Sequence, residues 1–159
     1  MKNHNPLTSP NLDAIGETLP AIVLPIADYL PYVVHQDLIY ISGQIPIVDG
    51  QPTHIGRVGV EITLEDAQMA ARRCAVNIIA LIAHAIGGDW SRFERVIKLG
   101  GFVNAGPDFT AHPQVINGAS QLFGEVFGAR GRHARFAVGA TNLPLGVPVE
   151  IDAVVALKG

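Results

Sequence analysis

Thr63-Leu-Glu-Asp-Ala-Gln-Met-Ala-Ala-Arg-Arg-Cys-Ala-Val-Asn-Ile-Ile-Ala-Leu-Ile-Ala-His-Ala-Ile86, followed by Gly87-Gly88, is the stretch that decides the fold class. Thr63 and Asp66 resemble a capping box: the hydroxyl can accept a free amide of the first turn, and the carboxylate suits the positive end of the helix dipole. Ala67, Ala70, Ala71, Cys74, Ala75, Ile78, Ile79, Ile82 and Ile86 keep the i, i+3, i+4 rhythm, while Arg72 and Arg73 fall off that stripe. Gly87-Gly88 supplies the left-handed stop. The spacing predicts a buried helix over Leu64–Ile86. Its most apolar part, Cys74–Ile86, is interrupted by Asn77 and His84 and is too short to cross a bilayer of about 30 Å.

Downstream, Phe93–Asn104 reads as a strand around Val96, Ile97, Leu99, Phe102 and Val103, with Gly100-Gly101 marking a bulge or a close backbone approach. Trp90, in Gly88-Asp-Trp-Ser-Arg-Phe93, reads as a packing residue of a folded connector. Pro113 opens a second amphipathic helix that runs to Phe127 and stops at Gly128. Ala134–Ala140 and Val147–Leu157 are two further strands, joined through Thr141–Gly146. Upstream, Ala21–Pro25, Tyr32–His35 and Leu38–Ser42 read as short strands, the last two forming a hairpin about Gln36-Asp37. Ile45–Val48 follows and Asp49-Gly50 ends the β-rich region, with a weaker strand near Arg57–Val60. Met1–Pro20, rich in Asn, Pro, Thr and Ser with one helical turn around Leu12–Ile15, reads as an arm lying on the surface.

Two helices over one mostly antiparallel sheet make an α+β sandwich of two layers, in a single domain spanning residues 21–159 behind the arm of residues 1–20. A chain of 159 residues that is 48% hydrophobic and only 16% charged can bury a core, which excludes bulk disorder. High hydropathy in so small a protein suggests that other subunits cover part of its apolar surface. The net charge of −3 and pI near 6.0 argue against a nucleic-acid binder working through a general attractive field. A single cysteine, Cys74, excludes an internal disulfide framework and any multi-cysteine zinc site. The opening residues carry no apolar leader, and cytoplasmic residence is expected.

Phosphate-binding glycine loops, dinucleotide fingerprints, His-Glu-x-x-His and Gly-x-Ser-x-Gly are all missing from the sequence, and the six histidines are never paired at metal-ligand spacing. Neither a metal nor another cofactor is expected. More suggestive is Arg135 at the opening of the apolar Ala134-Arg-Phe-Ala-Val138, with Glu150 inside Val149-Glu-Ile-Asp-Ala-Val154. Charges inside strands need partners, so opposite charges in strands read as neighbours invite a pairing or a site. A structural ion pair or a solvated face shared with Asp152 is the plainer reading from pattern alone. Tyr32, Ser42, Gln44 and Asn117 are polar residues beside Pro or Gly, where strand ends and loops place functional groups. Cys74 on the apolar stripe reads as an inert core thiol.

Leu38-Ile-Tyr-Ile-Ser-Gly-Gln-Ile-Pro46, Ala70-Ala-Arg with Asn77, and Arg135 with Leu143-Pro144 and Val149-Glu-Ile-Asp-Ala153 together resemble the Rid (reactive intermediate deaminase) family, also called YjgF-like or L-PSP-like. The similarity runs from about Leu19 to Leu157. It implies a chorismate-mutase-like fold, a homotrimer with a central barrel of sheets, and three clefts between subunits. In deaminating members an arginine grips the carboxylate of an enamine or imine acid such as 2-aminoacrylate, and a glutamate positions water. Arg135 and Glu150 match those places. Tyr32 matches the aromatic that closes the cleft, Ser42 the serine after the strand, and Asn117 the helix-borne asparagine, with Gln44 beside them. Departures are Ala137, often Cys in deaminases, His133, commonly Pro, and a loop before the arginine one residue longer. The expectation is hydrolysis of reactive imines and enamines. The alternatives are a trimer that only binds a keto acid or other carboxylate and, less favoured, the RNA cleavage or translation inhibition also attached to the family.

Overall fold

The structure, a computed structural model, describes residues 9–22 and 28–159. Strands β1 (Tyr32–His35), β2 (Leu38–Gln44), β3 (Ile47–Val48) and β4 (Gln51–Pro52) precede helix α1 (Leu64–Ala85), followed by β5 (Phe93–Asn104), α2 (His112–Phe127), β6 (Ala134–Ala140) and β7 (Val149–Leu157). A five-stranded sheet runs β1-β2-β7-β5-β6, antiparallel except for the β5–β6 pair, so the sheet is mixed. Both helices lie on one face, giving the expected two-layer α+β sandwich.

Thr63 caps α1 by accepting the Asp66 amide at 3.1 Å, and the fully buried Ala67, Ala70, Cys74, Ile78, Ile79 and Ile82 form its core stripe. Leu99, Ile151 and Val155 of β5 and β7, with Val96 before the β5 irregularity, meet that stripe from the sheet side. The two helices approach closely at Gly118, where a β-carbon would lie 2.1 Å from the Gln68 carbonyl oxygen. Gln68 then reaches across to donate to the Gln114 carbonyl at 2.8 Å.

Several boundaries differ from expectation. β2 extends two residues beyond Ser42 because its pairing with β7 resumes at Gln44 after a bulge: Ser42 and Gly43 together oppose Asp152. Asp49-Gly50 is the tight turn of a two-stranded β3–β4 ribbon, both residues at positive φ, and not merely the end of a β region. No strand forms over Arg57–Val60; Val58 makes only isolated bridges to Ile62 and Ala105. Gly100-Gly101 marks close approach and not a bulge, since the β5–β7 register is continuous there and the irregularities fall between Phe93 and Lys98. A β-carbon on Gly100 would meet Asp152 Oδ1 at 2.3 Å, and one on Gly101 would meet Ile116. Of the strand expected at Ala21–Pro25, residues 23–25 lie outside the described residues, as do residues 1–8 of the arm, and Ala21 and Ile22 belong to no strand. In the described part of the arm, Ile15 is buried, the Asn11 amide donates to the Val126 carbonyl, and the Ala14 carbonyl accepts from Arg72.

The face of the sheet opposite the helices exposes Tyr40, Phe102 and Val138. Among the described residues no helix is long and apolar enough to cross a membrane.

Two substitutions test this packing. Ile79→Ala should lower stability by about 2 to 5 kcal/mol, because a fully buried side chain leaves a cavity between the layers. Gly118→Ala should cost at least about 1 to 3 kcal/mol, because backbone must move to admit one methyl group. Denaturant midpoints measure both, and an unchanged midpoint for either would contradict the layer packing.

Candidate active site

Arg135 enters from β6 on the helix side of the sheet, its register partner being the buried Leu99. Its guanidinium donates to Ser120 Oγ at 3.0 Å, Asn117 Oδ1 at 2.9 Å and the Pro113 carbonyl at 3.1 Å, all on α2. Of the five N–H groups of an arginine, two therefore remain for a ligand. Asn117 acts on Arg135 and orients it. The pairing expected between Arg135 and Glu150 is not formed within the chain: β5 lies between their strands, and the two side chains leave opposite faces of the sheet.

Glu150 pairs in register with Phe102 and shares a surface depression of about 340 Å³ with Gly43, Phe102, Leu143 and Asp152. The β2 bulge creates its place, since a β-carbon on Gly43 would overlap Glu150 Oε1. Half-burial, and secondarily the charge of Asp152 two residues along the same face, raise the Glu150 carboxyl above the usual carboxylate range. A carboxyl so placed is a better proton acceptor than a solvated one.

Tyr32, Ser42 and Gln44, also expected here, touch neither Arg135 nor Glu150 through hydrogen bonds, and Tyr32 lies on the helix side of the sheet, opposite Glu150. Ser42 Oγ donates to the Leu30 carbonyl at 2.6 Å and Gln44 Nε2 to the Ser42 carbonyl at 2.9 Å, so both brace the bulge. Tyr32 packs against the core from β1, with its hydroxyl 2.8 Å from His84 Nδ1 on α1. Ser120, the third α2 group on Arg135, was not singled out by sequence; its signal was the spacing of three from Asn117, which puts both on one helix face. Asp152 likewise acts on Glu150 and not merely beside it. Cys74 is fully buried and burial pushes its thiol far up, in line with an inert core group.

Because the Glu150 pKa is raised in the folded state, its protonated form favours folding: that contribution is complete below the unfolded-state pKa and is lost as pH rises through the raised value. Asp152→Asn removes the neighbouring charge and should move the Glu150 titration downward, read by carboxyl ¹³C chemical shift. A titration that stays in place would show that Glu150 does not feel Asp152.

With this geometry established, comparison with known proteins places the chain. Residues 9–153 match the family described as "YjgF/chorismate_mutase-like, putative endoribonuclease". Protein TCP17 of Trypanosoma cruzi is 43% identical over 149 residues, covering 93% of this chain and 92% of that protein. The crystal structure of Atu1372, a protein of unknown function from Agrobacterium tumefaciens, is similar with a TM-score of 0.87 and 46% identity over 92% of this chain and 90% of that one. Escherichia coli TdcF with bound serine is similar with a TM-score of 0.64 and 26% identity, over 90% of this chain and 97% of that one. The family match over residues 9–153 and the 43% identity to TCP17 show that the chain, with its two-layer α+β fold, belongs to the YjgF/Rid/L-PSP family.

Proposed function

We propose that this protein hydrolyses small enamine or imine acids, such as 2-aminoacrylate, to the 2-keto acid and ammonia, in clefts between the subunits of a homotrimer. The observation that carries the reading is the Arg135 guanidinium, held by three acceptors on α2 with its Nε–H and one Nη1–H left over, a fixed positive charge with donors to spare for a substrate carboxylate. TdcF, which holds serine, is a relative with a small carboxylate ligand.

Arg135 and Glu150 lie on opposite faces of one sheet, so a single chain offers two incomplete halves of a site. Assembly resolves this: the exposed Tyr40, Phe102 and Val138 face is an apolar surface that partner subunits would cover, bringing Arg135 of one subunit to Glu150 of the next. Arg135 would bind the substrate carboxylate and Glu150 would take a proton from water as it adds to the imine carbon. An enamine first takes up a proton at its methylene carbon to give the iminium that water attacks; the carbinolamine nitrogen then takes the proton held by Glu150, and the C–N bond breaks as the hydroxyl proton is lost, releasing ammonia and leaving the keto acid. Tyr32, Ser42 and Gln44 would shape the cleft wall around the bulge, and Asn117 would steady Arg135. The reaction needs no metal or other cofactor, and the place of action would be the cytoplasm.

A binding trimer without turnover is the second reading, favoured by the serine held in TdcF. RNA cleavage, named in the family description, fits less well with a net charge of −3. Ammonia and pyruvate release from 2-aminoacrylate generated in situ separates the readings. Acceleration by the purified protein supports hydrolysis, whereas thermal stabilisation by 2-ketobutyrate with no acceleration selects binding alone.

Arg135→Lys keeps the charge but loses the planar guanidinium that Asn117, Ser120 and the Pro113 carbonyl hold in place, and should weaken 2-ketobutyrate binding by about tenfold or more while fold and subunit mass are retained. Because Arg135 has no bond to Glu150 within the chain, Arg135→Ala strands no opposite charge, and its melting temperature should fall far less than its ligand affinity. Calorimetry and melting curves on both variants check this, and a variant binding as tightly as wild type would remove Arg135 from the site.

A further inference from the structure

The loop before Arg135 ends in His133, and its side chain is wired to the arginine through Ser120. His133 Nδ1 lies 2.6 Å from the Gly131 carbonyl oxygen, which can only accept, so Nδ1 carries the proton. In the neutral ring Nε2 then holds the lone pair. Ser120 Oγ lies 2.9 Å from that Nε2 and must donate to it, which turns the oxygen's own lone pairs toward Arg135, 3.0 Å away. Every proton in the series is thereby assigned, from the Gly131 carbonyl to the guanidinium.

We propose that neutral His133, acting through the Ser120 hydroxyl, is a positioning residue that holds the Arg135 guanidinium in its carboxylate-binding orientation and releases it when the imidazole takes a proton. The ligand class rests on the reading of Arg135 given above. Protonation puts a hydrogen on Nε2 facing Ser120 Oγ, deprives the serine hydroxyl of its acceptor, and sets two cations on either side of one oxygen. The groups facing His133 from each packed element are consistent with a ring that stays neutral near neutral pH. From α2 come Ser120 and the Phe123 ring, 5.9 Å away, with no charge. From β5 comes Arg95, which together with Arg132 and His133 lines a depression of about 370 Å³. From β6, which begins at the next residue, comes Arg135. The α2 carboxylate Glu125 is engaged by Arg72. Burial first, and then the Arg135 charge, lower the His133 pKa below its ordinary value, outweighing the opposite effect of the Gly131 carbonyl.

The test combines imidazole and guanidinium ¹⁵N NMR with 2-ketobutyrate titration calorimetry between about pH 5 and about pH 8, on wild type, Ser120→Ala and His133→Gln. The expected spectrum has the Nδ1–H tautomer and strong protection of the Arg135 side-chain N–H groups relative to the intrinsic exchange rate at each pH, with that protection reduced in Ser120→Ala and in wild type below the His133 pKa. The expected binding weakens about threefold to tenfold in Ser120→Ala, and by a similar factor on acidification of wild type, in keeping with one lost hydrogen bond. His133→Gln should abolish that pH step. An Nε2–H tautomer, unchanged arginine exchange in Ser120→Ala, a pH step that survives in His133→Gln, or binding that tightens on acidification would each overturn the proposal. Absence of keto-acid binding at every pH would instead sink the carboxylate reading of the site, leaving the positioning of Arg135 to be decided by the NMR alone.

Discussion

One-sided burial of a five-stranded sheet governs this molecule. Side chains on successive strand residues leave opposite faces, so once α1 and α2 cover one face, every position of β5, β6 and β7 is committed either to the core or away from it. Leu99, Ile151 and Val155 go inward, and Phe102, Glu150 and Asp152 go outward. The candidate site inherits this division. Arg135 shares the inner register of Leu99 and reaches α2, whereas Glu150 shares the outer register of Phe102. No rotamer change can bring them together through the sheet.

Glycine makes both halves of the site possible by absence of volume. Gly43 opens the bulge for Glu150, Gly100 leaves room for Asp152, and Gly118 lets α2 settle against α1. The last of these has a consequence at a distance, because the position of α2 sets where Asn117, Ser120 and the Pro113 carbonyl stand, and those three groups aim the guanidinium. A packing contact between helices is thus transmitted to the orientation of a functional side chain.

The polar residues of α1 perform a comparable service at the other end of the molecule. Asn77 donates to the carbonyls of Ile45 and Ile47, and Arg73 donates to the Ile47 carbonyl, fastening the segment after β2 to the helix. Backbone groups leaving a sheet edge need such partners when they run beneath neighbouring structure. The same helix that supplies the apolar core therefore also anchors the chain that follows the Ser42–Gly43 bulge.

The two long helices and the strands β5, β6 and β7 were legible in the sequence because their apolar periods run for many residues and are bounded by Thr63, Pro113 and glycines with direct local effects. Arg135 and Glu150 were legible as charges in apolar strands, and Asn117 through the family resemblance. The β3–β4 ribbon, the bulge at Ser42–Gly43 and the lone bridges of Val58 were not, because pairing over two residues leaves no period and a bulge depends on the partner strand. Nor could the sequence show that β5 intervenes between β6 and β7, since strand order is set by the crossover through α2, and adjacency along the chain carries no such information. The sequence itself placed Asp152 on the face of Glu150, since both stand on β7 two residues apart; only the tertiary structure decided that Arg135 answers to α2 and that the Ser120 hydroxyl stands between His133 and Arg135, because these are contacts between elements whose spacing in space the linear pattern does not contain.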